Sequence, residues 1–232
     1  MTTEQSVKYR VPVSALGADS RAAFISRTYF HLFGAILSFT AVEIFLFTSG
    51  LALPIARVML SGSWLLVLGA FMIVGWLASR VAASAASAPA QYAALGGYVL
   101  AEAIIFVPLI LIADFKVPGV VQSAALVTMI GFTGLTAVAY VTRKDFSFLG
   151  SLLWWGGVIA LVTIVAGSLF GFELGTFFSV AMIALAGGAI LYDTSNVLHH
   201  YPEDRYVGAA LQLFASVALL FWYVLRLMSS RR

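Results

Sequence analysis

Seven apolar runs divide this chain, at about 29–50, 58–79, 92–113, 120–141, 148–170, 176–198 and 206–228. Each is close to the roughly 20 residues that a helix needs to cross the hydrocarbon core of a bilayer. Inside that core no water can satisfy a free backbone group, so an apolar run of this length has to close its own hydrogen bonds as a helix. The connections are short and carry Pro, Gly or charge, as at Pro54, Pro89, Pro118-Gly119, Gly171 to Gly175 and Pro202, which leaves no room for an inserted soluble domain. With 62% apolar and 10% charged residues, there is too little polar surface to cover a water-soluble globule. The expected fold is therefore an all-α polytopic membrane protein, a bundle of about seven transmembrane helices. Residues 1–28 read as a polar N-terminal arm and 29–232 as a single transmembrane helical domain in the lipid bilayer. The arm is polar and mixed in charge, so no cleavable signal peptide is expected.

Lys and Arg set the expected orientation. Lys8, Arg10, Arg21, Arg27, Arg80, Arg143, Lys144 and Arg205 fall on one side of an alternating bundle, and Arg57 and Lys116 on the other. The positive-inside rule puts the N-terminus in the cytoplasm, and small size and bare loops fit the plasma membrane of a bacterium. Arg226, Arg231 and Arg232 would break that rule if the last run crosses fully, and its polar interruptions Gln212 and Ser216 make it the weakest span. The net charge of +3 is spread between the spans and forms no stripe for nucleic acid. Trp64, Tyr92, Tyr140 and Tyr206 suit an aromatic belt at the interfaces.

Polar residues inside the runs are few, and each needs a reason. Asp193 lies near one end of the sixth run, and an ionised Asp near hydrocarbon costs roughly 2.5 to 3.5 kcal/mol unless it faces protein or water, is paired, or is protonated. Gly187 and Gly188, with Ala181, Ala184 and Ala186, let neighbouring backbones come close to this helix, which is read as the centre of the bundle. Asn196 and His200 continue its polar stripe. Glu43 and Glu102 interrupt the first and third spans, and Arg80 ends the second. Pro108 lies beyond Glu102, where it can kink the helix towards a cavity. The plainer alternatives are an Asp193 that snorkels to a neighbouring Arg for structure, and a protonated Glu102 paired to a neighbouring helix. His31, His199 and His200 read as interfacial polar groups, because adjacent histidines on a helix point about 100° apart and make poor joint ligands.

Enzyme chemistries fall away one by one. Lys8, Lys116 and Lys144 all lie in the arm or loops, so no buried Schiff-base lysine exists. No histidine matches the depth of a candidate nucleophilic serine, and there is no cysteine, metal-ligand cluster or Gly-rich phosphate loop. The chain is expected to be no enzyme and to carry no cofactor.

Three stretches resemble the Bax inhibitor-1 family of membrane proteins. They are Arg143-Lys-Asp-Phe-Ser-Phe-Leu149, Ala189-Ile-Leu-Tyr-Asp-Thr194 and Val207-Gly-Ala-Ala-Leu-Gln-Leu-Phe214 onward to Phe221, with Pro108 matching a third-helix proline, so that the likeness spans about 92–228. The resemblance implies a bundle of about seven helices around the sixth. It also implies a pH-sensitive calcium leak channel in which two carboxylates on the last two helices share protons and an arginine ending the second helix binds one of them. One carboxylate maps onto Asp193 and the arginine onto Arg80. The second position holds Ser216, which cannot ionise.

The leading expectation is an ion-homeostasis protein, a pH-influenced calcium or cation leak channel. Its pathway and latch would be Asp193, Arg80, Ser216 and Asn196, with Glu102, Glu43 and His200 as secondary candidates. Asp193 would be a weak calcium site, since calcium prefers six or more oxygens and a conducting site has to release its ion. A second expectation is a non-conducting interaction protein whose partner is another membrane protein, modulating membrane proteases or stress and cell-death responses. A third is a proton-coupled transporter built on Glu43 and Glu102.

Overall fold

A computed structural model describes residues 11–84 and 87–230, apart from the side chain of Ala83. Lys8, Arg10, Arg231 and Arg232 lie outside the described residues. The helices are α1 (Ala18–Thr48), α2 (Ala52–Ser61), α3 (Trp64–Ser84), α4 (Ala88–Lys116), α5 (Val120–Thr142), α6 (Leu149–Phe170), α7 (Thr176–His199) and α8 (Tyr206–Ser229). Seven of them are long and apolar enough to cross a membrane, and α2 is too short. Among the described residues no strand forms beyond an isolated bridge between Pro12 and Pro202.

Local chemistry explains where the helices stop. Pro89 sits in the first turn of α4, where its missing N–H costs nothing. Gly171, at φ 73°, ends α6 in the left-handed conformation that a side chain would resist. Pro108 is buried inside α4, and the helix runs on through it. The second apolar run breaks at Gly62-Ser63, so its first residues belong to α2 and the span begins at Trp64 instead of 58.

The N-terminal arm is shorter than its polarity suggests. Val13 and Phe24 are fully buried, and the Val13 N–H donates to the Tyr201 carbonyl at 2.9 Å. Residues 13–28 thus form a 3-10 turn and the first three turns of α1, whose apolar side chains pack beneath the polar ones.

The last span is the centre of the bundle, where the sequence pattern points to the sixth. α8 packs against α1, α3, α4, α5 and α7, and most of its length is buried, whereas α7 is fully buried along one face only. Gly208-Ala209-Ala210 lets other helices approach α8 closely. A Cβ on Gly208 would stand 2.9 Å from the Ala82 carbonyl oxygen, so only glycine admits the end of α3 at this distance. α7 does use its glycines as expected: added Cβ atoms at Gly187 and Gly188 would meet Leu135 of α5 and Leu153 of α6, each at 3.3 Å. The exposed apolar side chains, Trp154, Trp155, Phe115 and Phe177 among them, face outward where lipid would lie.

Two faces follow from the contacts. Tyr201, Arg205 and the Arg143–Phe148 loop gather with Val13 and the end of α3 on the N-terminal face. At the opposite face Arg226 donates to the Leu174 carbonyl at 2.7 Å, and Trp64 stacks on Trp222. At 24 residues α8 is roughly 36 Å long, enough to reach both faces, so the last segment does not stop short.

Candidate functional site

Ala186, Ile190, Asp193 and Val197 recur at helical spacing and form the buried face of α7 that meets α8. The sequence therefore drives a carboxylate into a helix contact. Asp193 is 9% exposed and Ser216 of α8 is 6% exposed. The Ser216 hydroxyl donates to Asp193 Oδ2 at 2.5 Å; a hydrogen bond to an ionised carboxylate is worth roughly 1.5–3 kcal/mol. Ser216, at the position where the resemblance implies a second acid, thus holds Asp193 as a donor.

Two cavities lie near this contact, and one of them reaches Ser216. One, of about 620 Å³, runs from the opposite face to mid-bundle between α3, α4, α6 and α8, past Arg226, Trp222, Tyr98 and Glu102 to Ser216. The other, of about 300 Å³, enters from the N-terminal face and is lined by Asn196, His200, Arg205 and Gln212. Gln212 is one turn before Ser216, and Asn196 one turn beyond Asp193. The pair thus lies about one helical turn from residues that line the smaller cavity, while Ser216 itself lines the larger.

Of the other acids, Glu102 is buried on α4 facing the larger cavity and interacts with Tyr98 one turn earlier. Glu43 lies elsewhere, in a third cavity across α8. Asn196 faces the smaller cavity, and its side chain makes no hydrogen bond to Asp193. No group of three or more His, Cys, Asp or Glu among the described residues is arranged to hold a metal ion.

Arg80 does not clasp Asp193. Its side chain is exposed and its guanidinium lies over the Trp76 ring, 4.7 Å from the centroid, and no ion pair joins it to the acid. The face of α3 turned inward carries the small residues Ala78 and Ala82 instead, while the long cation snorkels to the rim. A double-mutant cycle on Arg80→Ala and Asp193→Asn, read from thermal or denaturant unfolding, is accordingly expected to give a coupling within about 0.5 kcal/mol of zero.

The buried arginine is Arg205, which sequence reasoning treated only as a topology marker. It is 2% exposed, donates to the carbonyls of Ala82 at 3.3 Å and Ser84 at 3.5 Å, and lies 3.7 Å from Asp204. It thereby satisfies the carbonyl end of α3 and complements its dipole. The signal available beforehand was slight: an Arg immediately before an apolar run containing a glycine.

The Arg143–Phe148 loop is tied to the same end of α7. The Phe146 N–H donates to Ser195 Oγ at 2.9 Å, and His200 Nε2 lies 3.0 Å from Asp145 Oδ2. Asp145 also accepts from the Ser147 N–H, and that backbone bond is the first cause holding its carboxyl below the ordinary range, with His200 adding to it. His200, expected as a secondary site residue, thus joins this loop clasp and the smaller cavity together. His31 sits between Tyr92, whose hydroxyl is 2.8 Å away, and Tyr206, as an interfacial polar group would.

Comparison with known proteins adds a family match and several relatives. The family model described as "Inhibitor of apoptosis-promoting Bax1" matches residues 21–232. The modulator of FtsH protease YccA from Escherichia coli (strain K12) is 36% identical over 95 residues, 40% of this chain and 43% of the relative; a second Escherichia coli protein with the same figures is called inner membrane protein YccA. The chain therefore matches less than half the length of these relatives. The Golgi anti-apoptotic protein of Vaccinia virus (strain Lister) is 25% identical over 232 residues, 97% of this chain and 92% of the relative. Protein LIFEGUARD 4 of Arabidopsis thaliana is 31% identical over 140 residues, covering 57% and 55%.

Proposed function

Since the chain belongs to the Bax inhibitor-1 family, we propose that it is a non-enzymatic ion-homeostasis protein of a bacterial plasma membrane, a cation leak pathway held shut at Asp193 and Ser216. The observation that carries this reading is a buried carboxylate that is hydrogen-bonded to Ser216, which lines one cavity, and that lies about one helical turn from Asn196, which lines another opening to the other face. A carboxylate costs the bundle free energy unless it is used, and on this reading a cation moving between the two spaces would pass it. Calcium is the natural cargo for hard oxygen donors, and a site with so few of them would hold it weakly enough to release it. The N-terminal face would lie in the cytoplasm, because Arg21, Arg27, Arg80, Arg143, Lys144 and Arg205 gather there against Arg57, Lys116 and Arg226.

The test is calcium flux into proteoliposomes holding the purified protein. Asp193→Asn keeps the shape and the Ser216 contact but removes the charge, so flux is expected to fall at least fivefold. Unchanged flux in a folded Asp193→Asn protein would overturn the reading.

A second reading is favoured by the likeness to the modulator of FtsH protease: a protein that alters a membrane protease by binding it. Here Asp193 and Ser216 only hold α7 against α8. It predicts no flux from the native protein, and a changed rate of proteolysis when it is reconstituted with such a protease.

A further inference from the structure

A third cavity, of about 560 Å³, lies between α1, α4, α5 and α8, on the other side of α8 from the Asp193–Ser216 contact. Its walls are mostly apolar, with Phe39, Ile110, Phe214 and Phe221 among them. Into it faces Glu43, only 8% exposed, with neither carboxyl oxygen hydrogen-bonded. Thr128, 2% exposed, lines the same space, and its hydroxyl is also without a partner. Buried polar atoms are almost always satisfied, and two orphans lining one cavity need a common explanation.

The lining fixes the chemistry of an occupant. Asp114 is the other charged residue there, and no Lys, Arg or His contributes. Asp114 is exposed and accepts from the Gly119 N–H at 3.3 Å, so it is partly engaged at the rim. An anion would be repelled. A purely apolar guest would leave Glu43 and Thr128 unsatisfied. The volume falls within the range of small-molecule sites. Thr40 and Ile44 of α1 and Ala125 and Met129 of α5 line the cavity and are themselves exposed on the apolar outside of the bundle, so the opening is sideways, towards lipid. A guest would arrive from the bilayer.

We propose that this cavity binds a lipophilic amine, an amphiphile whose ammonium group donates to Glu43 while its apolar body lies along the aromatic wall of α1 and α8. Thr128 accepts a second of the ammonium's hydrogens, and Asp114 at the rim favours the same sign of charge. The proposal does not depend on conduction.

The experiment uses the full chain in phosphatidylcholine nanodiscs near neutral pH and follows thermal unfolding as dodecylamine or dodecanol is added at equal mole fraction in the bilayer. The native protein is expected to reach half-maximal stabilisation at a tenfold or lower mole fraction of the amine than of the alcohol. Glu43→Gln should erase that preference, and Thr128→Val should weaken amine stabilisation several-fold. Equal stabilisation of the native protein by amine and alcohol would mean an apolar cavity only, such as one for a lipid tail, and would overturn the proposal. So would a preference that survives in Glu43→Gln, since it would then report surface charge on the disc. Should Glu43→Gln fail to fold, the native comparison and Thr128→Val decide the matter, an unaltered amine response in Thr128→Val counting against the site.

Discussion

Calcium flux through proteoliposomes is expected to rise about tenfold or more when Ser216 is replaced by alanine. The Ser216 hydroxyl donates to Asp193, both side chains are buried, and Ser216 lines the larger cavity. Removing it leaves the carboxylate without that partner in the closed arrangement, whereas in an open one water can replace the hydroxyl. The closed state therefore loses the net value of a hydrogen bond to a charged group, roughly 1.5–3 kcal/mol, which shifts a two-state equilibrium by about 10- to 150-fold. Alanine fills nearly the same volume, so the packing of α7 on α8 should survive. Flux equal to that of the native protein, with the variant shown to be folded, would separate the Asp193–Ser216 contact from gating. Read with Asp193→Asn, the pair is diagnostic: one change should raise flux and the other lower it, although both alter the same bond.

Arg205→Ala is expected to have the largest effect on stability, a loss of about 2–4 kcal/mol measured by thermal or denaturant unfolding in detergent. Its guanidinium serves the carbonyls of Ala82 and Ser84 while almost wholly buried. Each acceptor left dry costs roughly 1–3 kcal/mol, and the void left by so large a side chain adds to that. The partner carboxylate of Asp204 is more than half exposed and can return to water, which limits the loss. Arg205→Lys should recover less than half of it, because a single ammonium cannot reproduce a planar fork that reaches two carbonyls. A loss under about 0.5 kcal/mol in the alanine variant would show that water caps the end of α3 equally well.

Much of the site was legible beforehand, residue by residue. Asp193 stood out because a charge inside an apolar run has no bland place to go, and the helix face it shares with Ala186, Ile190 and Val197 turned out to be the one against α8. Its relation to Ser216 came from resemblance, and the hydrogen bond bears out that the two positions meet. The arginine was misjudged. Arg80 and Arg205 look alike as sequence, each at the edge of an apolar run, and only the small residues on the inner face of α3 and Gly208 on α8 decide that Arg205 is drawn in and Arg80 left at the rim. Glu102 and Glu43 were equivalent candidates as interruptions of apolar runs, yet they face separate cavities on different sides of α8.

The sequence by itself determined that this chain is a membrane bundle of seven long helices and, for the last five of them, nearly where each begins and ends. That information is local: the free energy of moving a run of side chains into hydrocarbon depends on the run alone, and Pro and Gly mark its limits. Only the tertiary structure decided that α8 and not α7 is the centre, that the second apolar run splits into α2 and α3, and which cation is buried. The reason is physical. Lipid and protein interior are both apolar, so hydropathy cannot tell a helix face that meets lipid from one that meets another helix. The choice falls to shape, at places such as Gly208 against Ala82, and to the few polar groups whose partners arrive from distant parts of the chain.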